Sequence, residues 1–272
     1  MILFTLLPFL PSSAAWGSLG HRTVAYLASM YFTPASNRFT NYVLSGQDIS
    51  EAALFPDKVR HMPQFSYTAG WHYIDARDNP PTQCGINMTR DCVDEARGCV
   101  VSAIANHTSR VADPSLSRVL RGQSLRFMMH FFGDVHQPLH TEAEGRGGND
   151  MPVLFDGRHT NLHSVWDSLM PNRRAGADDE MQAAWEWAQT LYRDTPLNDE
   201  CVHDAAECGL AWASEANAYV CSYVLAEEVQ GRDLGGEYYS GAVPIIDEMV
   251  GKAGRRLAAW INSMTDIALK TQ

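Results

Sequence analysis

The chain has 272 residues, 45% of them hydrophobic and 19% charged, with a formal net charge of -11 at pH 7. That length and apolar share suffice for one domain with a substantial core, and no Pro/Gly/Ser-rich linker, repeat or low-complexity tract interrupts it. The acidic balance excludes a nucleic-acid binder that works through its surface at large, because phosphate backbones demand positive charge.

Residues 1–15 form an apolar run closing in Ser13-Ala14-Ala15, small residues that suit signal peptidase. The run reads as a secretory signal, with the mature chain, and its one domain, spanning 16–272. It is too short to span a bilayer, and no later segment offers about 20 uninterrupted apolar residues. The expectation is a secreted, soluble protein. Its six cysteines, at 84, 92, 99, 201, 208 and 221, argue for disulfides in that compartment. Two pairs, Cys92 with Cys99 and Cys201 with Cys208, lie close in sequence, but six cysteines admit many pairings. A zinc–thiolate site is the alternative, although no Cys-x-x-Cys spacing supports it. Asn87 and Asn106 each open an Asn-x-Thr sequon, which matters for a secreted chain.

Strand signals are few, and helical periodicity recurs along the chain. Val24, Leu27, Ala28 and Tyr31 follow Gly20-His21 at helical spacing. Leu125, Met128, Met129, Phe132 and Val135 form a second stripe, and Val165, Leu169 and Met170 a shorter one. Segments 183–192, 205–229 and 245–264 complete the set. Apolar residues three and four apart make a core-facing stripe on each, while Pro56, Pro63, Pro80, Pro81, Pro138 and Pro196 punctuate the pattern. The fold class expected is an all-α, single-domain helical bundle.

Histidine carries the chemistry. His130 and Asp134 are four apart, on one helix face, and His163 and Asp167 repeat the spacing. Imidazole and carboxylate converging from one face suit zinc. A single such pair is more often a surface ion pair. Two pairs, with His21, Asp57 and His72 also set among apolar residues, point instead to buried charge that needs a partner, and metal supplies one.

In chain order the sequence shows Trp16-Gly17, Gly20-His21-Arg22, Asp57-x-x-Arg60, His72-Tyr73-Ile74-Asp75, His130-x-x-x-Asp134, His136-Gln137-Pro138-Leu139-His140, Gly147-Gly148-Asn149 and His163-x-x-x-Asp167. This series resembles the motifs of the zinc-dependent, single-strand-specific class I nucleases and 3′-nucleotidases of fungi and plants, whose all-α fold is shared with bacterial zinc phospholipases C. The resemblance implies three zinc sites. Asp57, His72 and His130 would hold the first, with Asp134 bridging to a neighbour. His140, His163 and Asp167 would hold the second. Asp134, His21 and Trp16 would hold the third, Trp16 through its α-amino nitrogen and carbonyl oxygen, a chelate that exists only after signal cleavage. The resemblance also implies the disulfides Cys84–Cys221 and Cys92–Cys99, which leaves Cys201 with Cys208.

Three zinc dications outweigh three ligating aspartates and leave a site of about +3 inside an acidic protein. That resolves how such a chain attracts a phosphodiester. The implied chemistry is attack of a metal-activated water on phosphorus, with 5′-phosphate products. Arg60 would clamp the phosphate through paired hydrogen bonds, and Asp57 would also orient the water. Tyr73 and Asp75 would form a base pocket, one by stacking and one at a base edge. Gly147, Gly148 and Asn149 match the loop that closes over the base. Expected substrates are single-stranded DNA and RNA and 3′-mononucleotides, with no membrane and no stable protein partner; a monomer is expected. Stacking explains the single-strand preference, because a duplex hides the faces of its bases. The alternatives are a zinc phospholipase C and a secreted zinc-binding protein without catalysis. His136 is expected to support ligands or packing, and His61, His107, His159 and His203 to face solvent.

Overall fold

In the computed structural model, residues 16–92, 98–176, 178–197 and 200–270 are described, apart from the side chains of 266–270. The signal reading of 1–15 lies outside the described residues. The chain runs α1 (Gly17–Met30), α2 (Pro34–Val43), α3 (Ile49–Ala53), α4 (Phe55–Val59), a 3-10 segment (Pro63–His72), α5 (Met88–Asp91), α6 (Val100–Ala112), α7 (Arg118–Asp134) and a 3-10 turn (Pro138–Thr141). The strands β1 (Pro152–Phe155) and β2 (Arg158–Asn161) follow, then α8 (Leu162–Ser164), which passes through a π turn (Val165–Leu169) into α9 (Met170–Ala175). Last come α10 (Glu180–Leu191), α11 (Ala205–Tyr219) with a π turn (Val220–Val224), and the long α12 (Glu237–Lys270). The expected all-α class is the observed one, with a single small hairpin beside the helices among the described residues.

Local chemistry starts the helices. Asp48, Asp179 and Asp204 each accept two backbone N–H groups at the first turns of α3, α10 and α11, satisfying donors that a helix leaves open. Pro34, Pro56, Pro63, Pro138 and Pro171 sit in first turns, where a missing N–H costs nothing. Asp156 and Gly157, both at positive φ, turn β1 back onto β2 in antiparallel register from Pro152 opposite Asn161 to Phe155 opposite Arg158. The hairpin therefore ends at Asn161, whose side chain accepts from Ser164 N at 2.7 Å and starts the helix carrying His163.

α7 is the central helix. From Phe127 to Asp134 every residue is buried, and α1, α2, α3, α4, α6 and α12 pack against it. Such all-round burial explains why its apolar residues are not confined to one stripe. α1 also packs on α10 and α12. A Cβ on Gly133 would lie 2.7 Å from His21 Nδ1, so the glycine lets α1 and α7 close together just where His21 and Asp134 face each other. The disulfides are Cys84–Cys221, Cys92–Cys99 and Cys201–Cys208, as expected.

Some boundaries differ from the periodicity. The stripe over 205–229 spans two features, because α11 ends at Tyr219 and gives way to a π turn that stops at Val224. α12 begins eight residues before 245 and includes Pro244. α2 and α6 lie where no helix is expected from the stripes above. His107, expected at the surface, is buried on α6, its ring stacked on Phe127 at 4.7 Å between centroids. His61, His159 and His203 are exposed as expected.

Candidate metal centre and cleft

The candidate ligands come from α1 with His21, α4 with Asp57, the C-terminal turns of α7 with His130 and Asp134, and α8 and its π turn with His163 and Asp167. His72 ends the first 3-10 segment and His140 lies in the second. Three ligand groups result, Asp57 with His72 and His130, His21 with His130 and Asp134, and His140 with His163 and Asp167. Within each, the donor atoms lie inside 4.8 Å of one another. The first and last groups have the side chains of two expected ligand sets, while the middle one joins His21 and Asp134 to His130.

Asp134 is fully buried and shared. Its Oδ1 lies 3.3 Å from His21 Nε2, and its Oδ2 lies 3.0 Å from His72 Nδ1 and 3.4 Å from His130 Nε2. Asp57 Oδ1 approaches His130 Nε2 at 3.6 Å and Arg60 Nη1 at 3.5 Å. In the remaining group His163 Nε2 is 2.9 Å and His140 Nε2 3.6 Å from Asp167 oxygens.

Three histidines are oriented by backbone carbonyls, which only accept. His130 Nδ1 donates to Ala53 O at 2.8 Å, His140 Nδ1 to His72 O at 2.8 Å, and His163 Nδ1 to Gly147 O at 2.6 Å. Each ring is thereby held with Nε2 turned inward as a lone-pair donor. Gln137 is a positioning residue that the motifs did not reveal. Fully buried, it donates through Nε2 to Asp167 Oδ1 while its Oε1 accepts from Leu139 N at 2.5 Å. Its partner lies 30 residues on, so no local spacing signals the contact.

The donor set fits cations. His21 Nδ1 and Nε2, Asp57 Oδ1, His72 Nε2, Asp134 Oδ1, His140 Nε2 and Asp167 Oδ2 are buried and make no hydrogen bond. Buried polar atoms normally find partners, and these seven converge in one region. Electrostatics agree. Burial alone would raise the Asp134 carboxyl, but His130, His21 and His72 hold it far below the ordinary range. Burial pushes His130 well down and Asp57 up. For His140, burial lowers the imidazole pKa, yet Asp167 and Asp134 outweigh it and lift the group to about 9. These carboxylates demand positive charge, which a bound cation would supply.

Trp16 stands at the start of α1, five residues before His21. Its side chain is wholly buried, it stands at the N-cap of α1 with φ 37° and ψ 24°, and its carbonyl accepts from Gly20 N at 3.0 Å.

A cleft of about 340 Å³ opens beside the ligands. Arg60, His72, Tyr73, Asp75, His140, Gly147, Asn149 and His163 line it, together with Leu139, Glu142, Ala143 and Arg146. Arg60, Tyr73, Asp75, Gly147 and Asn149 thus reach the same hollow as the candidate ligands His72, His140 and His163. Gly148 does not line it; it packs against Leu139 and the His163 backbone, and its carbonyl accepts from His163 N at 3.3 Å. Gly147, at φ 60°, likewise serves His163 through its carbonyl. The glycine pair therefore builds the ligand's support, and Gly147 and Asn149 alone face the cleft. Asp75 is pushed up by burial, with Arg77 opposing. Burial and the neighbouring Asp78 lift Glu142 to about 8. His136, no ligand, donates Nδ1 to Phe132 O at 2.7 Å, accepts from Arg256 Nη1 at 2.8 Å and stacks on Trp212.

Residues 16–266 match the S1/P1 Nuclease family. The chain belongs to that family. It is 39% identical over 266 residues to Nuclease P1 of Penicillium citrinum, a match covering 92% of this chain and 97% of that protein. It is 36% identical over 265 residues to Nuclease S1 of Aspergillus oryzae, covering 91% of each. Endonuclease 2 of Arabidopsis thaliana is 30% identical over 285 residues, covering 96% of this chain and 94% of its own length. Membership of the S1/P1 family makes this a nuclease, with nucleic acid as its class of substrate. Among the described residues no helix is long and apolar enough to cross a membrane.

Proposed function

We propose that this protein is a secreted, zinc-dependent endonuclease that hydrolyses single-stranded DNA and RNA to 5′-phosphate products and also removes phosphate from 3′-mononucleotides. The observation that carries the reading is the convergence of three buried, unsatisfied His/Asp groups on one cleft that an arginine, a tyrosine and an aspartate also line. Asp57, His72 and His130 would hold one zinc, His140, His163 and Asp167 a second, and His21 with the α-amino nitrogen and carbonyl of Trp16 a third, Asp134 serving as bridge. The bound ions would supply Lewis acidity, an activated water and charge compensation at the leaving 3′-oxygen.

The chain's own groups do the rest. Arg60, anchored by Asp57, presents its guanidinium to two phosphate oxygens, which fixes the phosphorus and favours its anionic state. Asp57 holds the attacking water for approach opposite the leaving group. Tyr73 offers its ring face to a base, and Asp75 accepts from a base N–H. Asn149 closes the opposite side. A duplex buries the base faces that Tyr73 needs, so single strands are preferred. Secretion follows from the apolar segment at 1–15 and three disulfides; the exposed Asn87 and Asn106 are glycosylation sites in that compartment.

The phospholipase alternative lacks support from the cleft, where a base-edge acceptor and an amide stand where a choline cage would need encircling aromatics. Purified protein should be assayed on single-stranded and duplex DNA, RNA, 3′-AMP and phosphatidylcholine, before and after chelation and with zinc added back. Chelator-sensitive, zinc-restored cleavage of the first, third and fourth is expected. Activity that survives chelation, or that is confined to phosphatidylcholine, would overturn the reading.

A further inference from the structure

A second recess adjoins the cleft at Tyr73. It encloses about 270 Å³, and Tyr73, Asp75, Arg77, Ser66, Gly70 and Gly98 are among the residues that line it. Tyr73 and Asp75 line both hollows, whereas none of the candidate metal ligands reaches the second. The aromatic residue between them is firmly placed. Its carbonyl accepts from Val100 N at 3.0 Å, and the next residue, Ile74, donates its N–H to His140 O at 2.8 Å. The side chain is nevertheless 42% exposed, an unusual outlay of aromatic surface for a tyrosine whose backbone is pinned on both sides. The Cys92–Cys99 disulfide forms part of the recess wall, which holds that side in place. Arg77 adds a cation, and its neighbour Asp75 is the carboxylate that the two hollows share.

We propose that this recess is a second nucleoside subsite, which takes the nucleotide on the 5′ side of the one whose base lies in the metal cleft. The inference rests on the nuclease reading above. A single strand threads in a fixed order: the phosphate under attack lies at the metal ligands, the nucleoside bearing its 3′-oxygen fills the cleft, and the next nucleoside toward the 5′ end lies one unit farther from the ligands. The recess shares Tyr73 and Asp75 with the cleft and has no candidate ligand in its lining, as such a farther position requires. Tyr73 serves bases on either hand as a stacking surface, and Arg77 offers charge to the phosphate that joins them. Stacking is indifferent to base identity, so the subsite lengthens the bound strand and adds no sequence rule.

One substrate tests this in a single reaction. In the trinucleoside diphosphate d(ApApA), hydrolysis of the first phosphodiester gives deoxyadenosine and d(pApA), with the recess empty. Hydrolysis of the second gives d(ApA) and d(pA), with the 5′ nucleoside in the recess. In each case one water adds across one P–O bond. Initial product ratios should favour the second bond by about tenfold, the order that one base stack supplies. Ala69, an exposed residue of the recess wall, allows it to be filled. Ala69→Trp should bring the ratio near one, mainly by slowing second-bond cleavage, while retained first-bond cleavage shows that the variant folds. A ratio near one in the unaltered protein, or a preference for the second bond that Ala69→Trp leaves unchanged, would overturn the subsite and leave the nuclease reading intact. Absence of cleavage at either bond would overturn both.

Discussion

His21 on α1 and Asp134 on α7 meet with Nε2 3.3 Å from Oδ1, while the other oxygen of the same carboxylate faces His72 and His130 at 3.0 and 3.4 Å. One aspartate therefore turns each oxygen to a different set of imidazoles, the arrangement a bridging ligand requires. Asp134→Asn keeps the shape but removes the charge and one oxygen donor. The variant should retain fewer than two of the zinc ions held by the unaltered protein and lose at least about 100-fold in kcat, a loss at the upper end of what altered metal surroundings cause. Metal analysis after gel filtration decides it. Full metal content in the variant would show that Asp134 bridges nothing.

Gln137 touches Asp167 and the Leu139 backbone, and so acts on the second ligand group through a ligand. Gln137→Met preserves volume while removing both hydrogen bonds. Zinc affinity at one site should fall by about 10- to 100-fold, read by competition with a chromogenic chelator, and kcat should recover largely when zinc is in excess. A variant whose affinity is unchanged, or whose activity excess zinc does not rescue, would deny Gln137 this positioning role.

The contrast between those two residues shows what was legible in the sequence. His130 with Asp134 and His163 with Asp167 each recur four apart on one helix, so their convergence is a local property that spacing exposes. The stripes from Leu125 to Val135 and from Val24 to Leu27 were legible for the same reason. Gln137 was not, because its partner arrives from an element 30 residues away. Gly148 packs on Leu139 and the His163 backbone, and a Gly-Gly-Asn turn looks alike in sequence whether it faces a ligand or braces one. α6 escaped notice although Val100, Val101, Ile104 and Val111 are buried on it, since β-branched residues in a row read equally well as a strand.

His107 is buried on α6, and its burial has a consequence for pH. Burial, and then Arg110, lower its imidazole to about 4 from an ordinary 6.5. A depressed folded-state value means that the fold prefers the neutral ring. Its contribution is intact above about pH 6.5 and is lost as pH falls toward 4, by about 2 kcal/mol at pH 4.5. Replacing the ring with one that cannot titrate, His107→Phe, keeps the stack on Phe127. In urea melts the variant should resemble the unaltered protein at pH 7 and exceed it at pH 4.5 by about that amount. Parallel losses in the two proteins between those pH values would show that His107 does not govern this part of the acid response.

The last prediction concerns the proposed start of the mature chain at Trp16. Trp16 is buried at the N-cap of α1, five residues before His21 on the same helix. If its α-amino nitrogen ligates zinc, the free amine must lose a proton, which is easy beside a dication because its ordinary pKa is about 7.7–8.0. A preceding residue would convert that amine to an amide, which keeps its proton at neutral pH and is a poor ligand. The helices and the three disulfides do not depend on that nitrogen, so the fold should survive an added alanine. The two zinc sites built only from side chains should also survive, apart from the loss of one metal partner by Asp134. Phosphate binding by Arg60 should persist while charge stabilisation at the leaving 3′-oxygen is lost. Turnover should then fall more than affinity, so that kcat drops with KM little changed. Protein beginning at Trp16 and protein with one alanine before it should be compared for zinc content, for thermal unfolding and for turnover of 3′-AMP. A loss of one zinc with an unchanged melting profile is expected. Equal zinc content and equal turnover would remove Trp16 from the metal centre, and with it the idea that cleavage after Ala15 completes the active site.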